Sequence, residues 1–96
     1  SPIEANQTPT FEGSWGNTGT GYGDVSFYKD RGRVYVSGRA SGGTNTVFYL
    51  PVGYRPSSTI YFQNFNGNAI YAFPDGEVRS AGGSNVIFSG FSFRVE

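Results

Sequence analysis

The chain has 96 residues, with seven basic and seven acidic side chains and neither His nor Cys. That is enough for one domain with a single modest core. Zero formal net charge excludes an electrostatic nucleic-acid footprint and a polybasic membrane surface, and the missing His and Cys exclude the usual zinc sites, a Cys–His pair and a Ser–His–Asp triad.

Aromatic residues make up 18 % of the chain and Gly supplies 15 positions, while Leu and Lys each occur once, at Leu50 and Lys29. Such a composition suits pleated strands and turns and is poor in helix formers. No apolar run reaches the ~18 residues of a membrane helix, and no signal-peptide apolar region is visible. Membrane insertion and nucleic acid are therefore not expected. Without Cys, no disulfide can add stability. The opening Ser1-Pro2, with no initiator Met, is read as the start of a piece of a longer protein.

Residues 1–14 read as an N-terminal arm or a linker from a preceding domain, since Ser1 to Thr10 is polar and holds two prolines. Residues 15–96 read as the folded unit. Phe11 and Trp15 lie in a polar, glycine-rich stretch and are expected to pack on the body, because a free linker has little use for such rings. From Asp24 onward the period is two. Val25 and Phe27 alternate with Ser26 and Tyr28, Lys29-Asp30-Arg31-Gly32 makes a charged turn, and Val34 and Val36 alternate with Tyr35 and Ser37. This predicts a hairpin.

Ser41-Gly42-Gly43 then turns into a strand over 46–50. The segment Leu50-Pro51-Val52-Gly53-Tyr54-Arg55-Pro56 reads as a rigid corner. Each Pro removes a backbone donor, fixes φ and pushes the residue before it, Leu50 or Arg55, into extended geometry. Beyond it come strands over 59–64 and 69–73 around Asn66-Gly67, the pair preferred by type I′ hairpin turns. Pro74-Asp75-Gly76 is a further turn, followed by short strands over 77–81, 85–89 and 91–95. Gly42-Gly43-Thr44-Asn45-Thr46-Val47-Phe48 echoes Gly82-Gly83-Ser84-Asn85-Val86-Ile87-Phe88, which is one turn chemistry used twice. The whole predicts an all-β fold: an antiparallel, jelly-roll-like β-sandwich of about eight short strands without significant helix.

Strict alternation sets Val47 and Tyr49 against Phe48 and Leu50, and sets Tyr61 against Ile60 and Phe62. Aromatic residues thus fall on both faces, whereas a monomeric sandwich keeps its outer face polar. That surface is either an interface or simply Tyr tolerating water through its hydroxyl.

Catalytic chemistry finds little foothold. No P-loop is present, and Gly19-Thr20-Gly21-Tyr22-Gly23 lacks the following helix that a dinucleotide loop needs. No cofactor or metal is expected. Two-carboxylate glycoside cleavage remains open to Glu12, Asp24, Asp30, Asp75 and Glu77, but Asp30 and Asp75 suit turns. A sugar-binding surface has more material. Trp15, Tyr22, Tyr61 and Tyr71 offer rings, and Gln63, Asn64, Asn66 and Asn68 offer amides beside them. The plainer alternatives are core packing for Trp15 and turn chemistry for the Asn residues.

The corner Leu50-Pro51-Val52-Gly53-Tyr54-Arg55-Pro56 resembles one that recurs in the C-terminal β-domains of bacteriophage tail fibres, tail spikes and baseplate tip proteins. The order of Val25 to Asp30, Arg33 to Gly38, Asp75-Gly76-Glu77-Val78 and Gly90 to Val95 fits the same family. The resemblance implies a non-catalytic β-sandwich at the tip of a homotrimeric fibre or spike, in the virion and outside the cell, contacting a bacterial surface polysaccharide. It equally admits a trimerisation cap with no ligand. A monomeric carbohydrate-binding appendage of a glycan-degrading enzyme is the third alternative. The resemblance implies no catalytic residues. For the corner itself, Pro51→Ala should cost about 1 kcal/mol through a less restricted unfolded chain. An unchanged melting temperature would remove that assignment.

Overall fold

A computed structural model of the chain describes residues 5–19, 21–63 and 68–95. The described residues form ten short strands in three antiparallel sheets, without a helix. They are β1 (Gly16–Asn17), β2 (Ser26–Asp30), β3 (Arg33–Ser37), β4 (Arg39–Ser41), β5 (Thr46–Tyr49), β6 (Ile60–Phe62), β7 (Ile70–Ala72), β8 (Glu77–Ser80), β9 (Asn85–Ile87) and β10 (Phe91–Arg94). The two strands that the alternation pattern missed are β1 and β4, both too short to display a period.

One layer of the sandwich is the four-stranded sheet β5-β8-β7-β6. Strands β6, β7 and β8 follow one another as hairpins, and β5 returns beside β8, which is a Greek-key order. The chain must therefore cross from one sheet edge to the other between β5 and β6, and the proline corner makes that crossing. Tyr54 N–H donates to Pro51 O at 3.0 Å, closing a turn in which Gly53 takes φ +94°. Leu50 N–H donates to Gly76 O at 2.8 Å, and Arg55 Nε donates back to Leu50 O at 2.8 Å. The corner is thus strapped over the β7–β8 turn. Leu50 and Pro56 are buried beneath it, while Pro51 stays exposed.

The other layer is a three-stranded ladder bent in the middle. Strand β3 pairs with β10 and β2, and β4 pairs with β9 and β1. Only Gly38 separates β3 from β4. It takes φ +100°, and a Cβ there would lie 2.5 Å from Asp24 O. Phe88 N–H donates to Gly38 O at 2.9 Å, so the partner strand bends at the same level. A bend of this kind lets one pair of strands serve two sheets. At the β2–β3 turn, Lys29 and Asp30 extend the strand, against the four-residue turn expected. Arg31 (φ 54°) and Gly32 (φ 77°) alone close a two-residue I′-type hairpin.

Aromatic rings close the sandwich. Phe48 of β5 stacks on Phe27 of β2 at 6.5 Å between centroids, and it also meets Phe11 and Phe88. Phe62 of β6 meets Phe91 of β10 at 4.9 Å. The expected alternation in β5 fails at one point. A register shift between Thr46 and Phe48 turns both Val47 and Phe48 inward, each 0 % exposed, while Tyr49 faces out. Upstream of the strands, Gln7 bridges Phe27 and Phe11 bridges Phe48. Because Phe48 touches three rings at full burial, Phe48→Ala should cost about 3–5 kcal/mol. A urea midpoint close to that of the parent chain would contradict this packing.

Candidate functional site

Outer-face residues of the four-stranded sheet fall into rows set by register. Thr46, Arg79, Tyr71 and Tyr61 sit side by side across β5, β8, β7 and β6. Their inward neighbours Val78, Ile70 and Ala72 are fully buried, which fixes the direction of this row. Tyr61 is 55 % exposed, with its ring centroid 5.1 Å from that of Tyr71. Phe73 continues the ladder at 5.9 Å from Tyr71, and Tyr49, opposite Glu77, is also exposed. Glu77 accepts from Thr46 Oγ1 and from Arg79 Nε, the latter at 2.8 Å. The face is therefore an aromatic strip edged by a fixed polar cluster.

The sites named from sequence divide. Tyr61 and Tyr71 come together, and Gln63 is exposed just past β6. Asn64 and Asn66 lie outside the described residues. Asn68 is half-buried, and its side-chain amide donates to Asn85 O at 2.7 Å, a structural tie between the β7 and β9 ends. Trp15 needs correction as a sugar platform. It is 5 % exposed, its Nε1 donates to Thr44 O at 3.2 Å, and its ring lies against Gly43. No face of that ring is open to a ligand. Tyr22, by contrast, is 48 % exposed, but on the bent layer rather than beside Tyr61.

Around Tyr22 the structure forms a groove of about 590 Å³, lined by Tyr22, Gly23, Asp24, Ser37, Gly38, Arg39, Ile87 and Ser89. It sits at the bend. Tyr22, Gly23 and Asp24 form one wall of it, with Tyr22 N–H donating to Gly19 O (3.0 Å) and Val25 N–H donating to Asn17 Oδ1 (2.7 Å). Arg39 lays its guanidinium over the Tyr22 ring at 4.3 Å and donates from Nε to Asn85 Oδ1 at 2.7 Å. Arg39, Ser37 and Ile87 were not singled out from sequence. Their meeting depends on the bend, and only Gly38 hinted at it. A smaller groove of about 360 Å³ lies beside the stacked Tyr28–Tyr35 pair on β2 and β3.

Three of the five carboxylates weighed for catalysis, Asp30, Asp75 and Glu77, have partners within their own turns and strands. Asp75 Oδ1 accepts from Glu77 N–H at 2.9 Å, Glu77 pairs with Arg79, and Asp30 lies 3.9 Å from Arg31. Among the described residues no three of His, Cys, Asp and Glu cluster as a metal site. No protein-family model matches the chain, and no curated protein or solved structure is detectably similar to it.

The Trp15 assignment has a direct check. A Cβ on Gly43 would fall 2.4 Å from Trp15 Cδ1, so Gly43→Ala should destabilise the fold by roughly 1–3 kcal/mol. Its Trp fluorescence should shift to the red as the ring is pushed towards water. A wild-type melting curve and spectrum would mean that the ring is not packed there.

Proposed function

We propose that this chain is a non-catalytic receptor-binding module of the phage tail-tip kind. It would work as a homotrimer in the virion, outside the cell, and hold a bacterial surface polysaccharide. The observation that carries this reading is the Tyr61–Tyr71–Phe73 strip on the outer face of the four-stranded sheet. Neighbouring rings left partly exposed are unfavourable against water and favourable against the C–H face of a sugar or the surface of another protomer. Arg79, Glu77 and Thr46, already fixed to one another, border the strip with hydrogen-bonding atoms of both signs. Such an edge orients a hydroxylated ligand without having to be ordered on binding.

The test takes two measurements. Light scattering on a sizing column should give a mass near three times 10.4 kDa. Tyr61→Ala and Tyr71→Ala should each weaken binding to host cells or their purified polysaccharide by about tenfold, at unchanged mass. If the mass stays trimeric and binding survives both changes, a trimerisation cap replaces the polysaccharide-binding reading of this face. A mass near one chain together with polysaccharide binding would favour a monomeric carbohydrate-binding appendage.

A further inference from the structure

We propose that the groove at the bend is a second saccharide site, made for a neutral hexose residue held through two vicinal hydroxyls between Asp24 and Arg39. This assignment needs neither the trimer nor the Tyr61–Tyr71 strip, so the two stand or fall separately.

The groove holds the parts such a ligand requires. Its volume, about 590 Å³, lies within the ~300–1,000 Å³ range of small-molecule sites. Arg39 is preorganised, because Asn85 takes its Nε and the Tyr22 ring carries its guanidinium plane. The two terminal nitrogens are left as a donor fork. Among the described residues the ion pairs are Arg31–Asp30 and Arg79–Glu77, so neither Arg39 nor Asp24 belongs to one. Asp24 supplies acceptors only. A hydroxyl pair is the group that donates to one neighbour while accepting from the other, and it meets an Arg and an Asp without residual charge. Ile87 adds an apolar patch for ring C–H groups, and Ser37 adds a further hydroxyl.

Charge balance narrows the class. One cation and one anion line the groove, so a uronic acid or a phosphate paired with Arg39 is opposed by Asp24, an amino sugar paired with Asp24 is opposed by Arg39, and a neutral sugar meets neither opposition. The floor is close-packed backbone, because a Cβ on Gly38 would lie 2.5 Å from Asp24 O and Phe88 N–H donates to Gly38 O.

The test is an amide-resolved NMR titration of the full 96-residue chain with methyl α-mannopyranoside, methyl β-galactopyranoside and methyl glucuronide. At least one neutral glycoside should bind in the millimolar range, moving the amides of Gly23, Asp24, Gly38 and Arg39. The glucuronide should bind more weakly. Asp24→Asn, isosteric and on an exposed residue, should weaken binding by about tenfold with spectral dispersion retained. Arg39→Lys, which keeps the charge and loses the fork, should do the same. Tighter binding of the glucuronide, unchanged affinity in Asp24→Asn, or no shift in these amides with either neutral glycoside would each overturn the assignment. Shifts confined to Tyr61 and Tyr71 would remove this site and leave the proposed function intact.

Discussion

The ring of Phe48 is the contact on which the two layers depend. It comes from the edge strand β5, yet it touches Phe27 on the bent layer, Phe88 at the bend and Phe11 upstream of the strands. In a chain of this size the core is small, so a ring shared by three neighbours ties β5 to the other layer and reinforces the backbone bridge it makes with Phe11. The β-bulge in β5 is what makes it possible. With strict alternation, Val47 and Phe48 could not both face inward, and the edge would present either a smaller core residue or an exposed Phe.

Two backbone devices follow from that packing. At one end of the four-stranded sheet, the proline corner carries the chain over the β7–β8 turn and is fastened on several sides. Gly76 receives it at Leu50, Lys29 Nζ reaches Gly53 O at 2.9 Å, and Gln7 Nε2 donates to the Tyr54 hydroxyl at 2.7 Å. Tyr54 also sets its ring against Phe27 at 5.6 Å. On the other layer, Gly38 bends a long strand pair into two short sheets. The first device closes the core; the second opens a groove on the surface.

The surface features sit where these devices leave them. The Tyr61–Tyr71–Phe73 strip is the outer face of a sheet whose inner face is filled by Val78, Ile70 and Ala72. The Tyr22–Arg39 groove lies where Tyr22, Gly23 and Asp24 meet the bend at Gly38. Both combine an aromatic ring with a polar side chain held by a hydrogen bond, Arg39 in one and Arg79 in the other. They lie on different layers, and a ligand at one leaves the other open.

Local sequence determined eight of the ten strands, the hairpin of β2 and β3, and the arrest of β5 at the prolines. Period-two alternation and the fixed φ of Pro act over a few residues, and so they can be read residue by residue. The pairing of Tyr61 with Tyr71 was not legible, since a two-residue turn at Asn66-Gly67 would set Tyr61 opposite Ala72, one residue away from the register that forms. Tertiary structure decided the rest. Trp15 was expected to pack on the body and also offered itself as a ligand ring; only the tertiary structure decides between the two, because its burial depends on Gly43, distant in sequence, giving it room. The β5 bulge left no local mark, since Val47 and Phe48 suit either face. Arg39 gained its role only when the bend brought Tyr22 and Asn85 to it from opposite sides. Such long-range contacts are fixed by how the layers pack, and no window of sequence contains both partners.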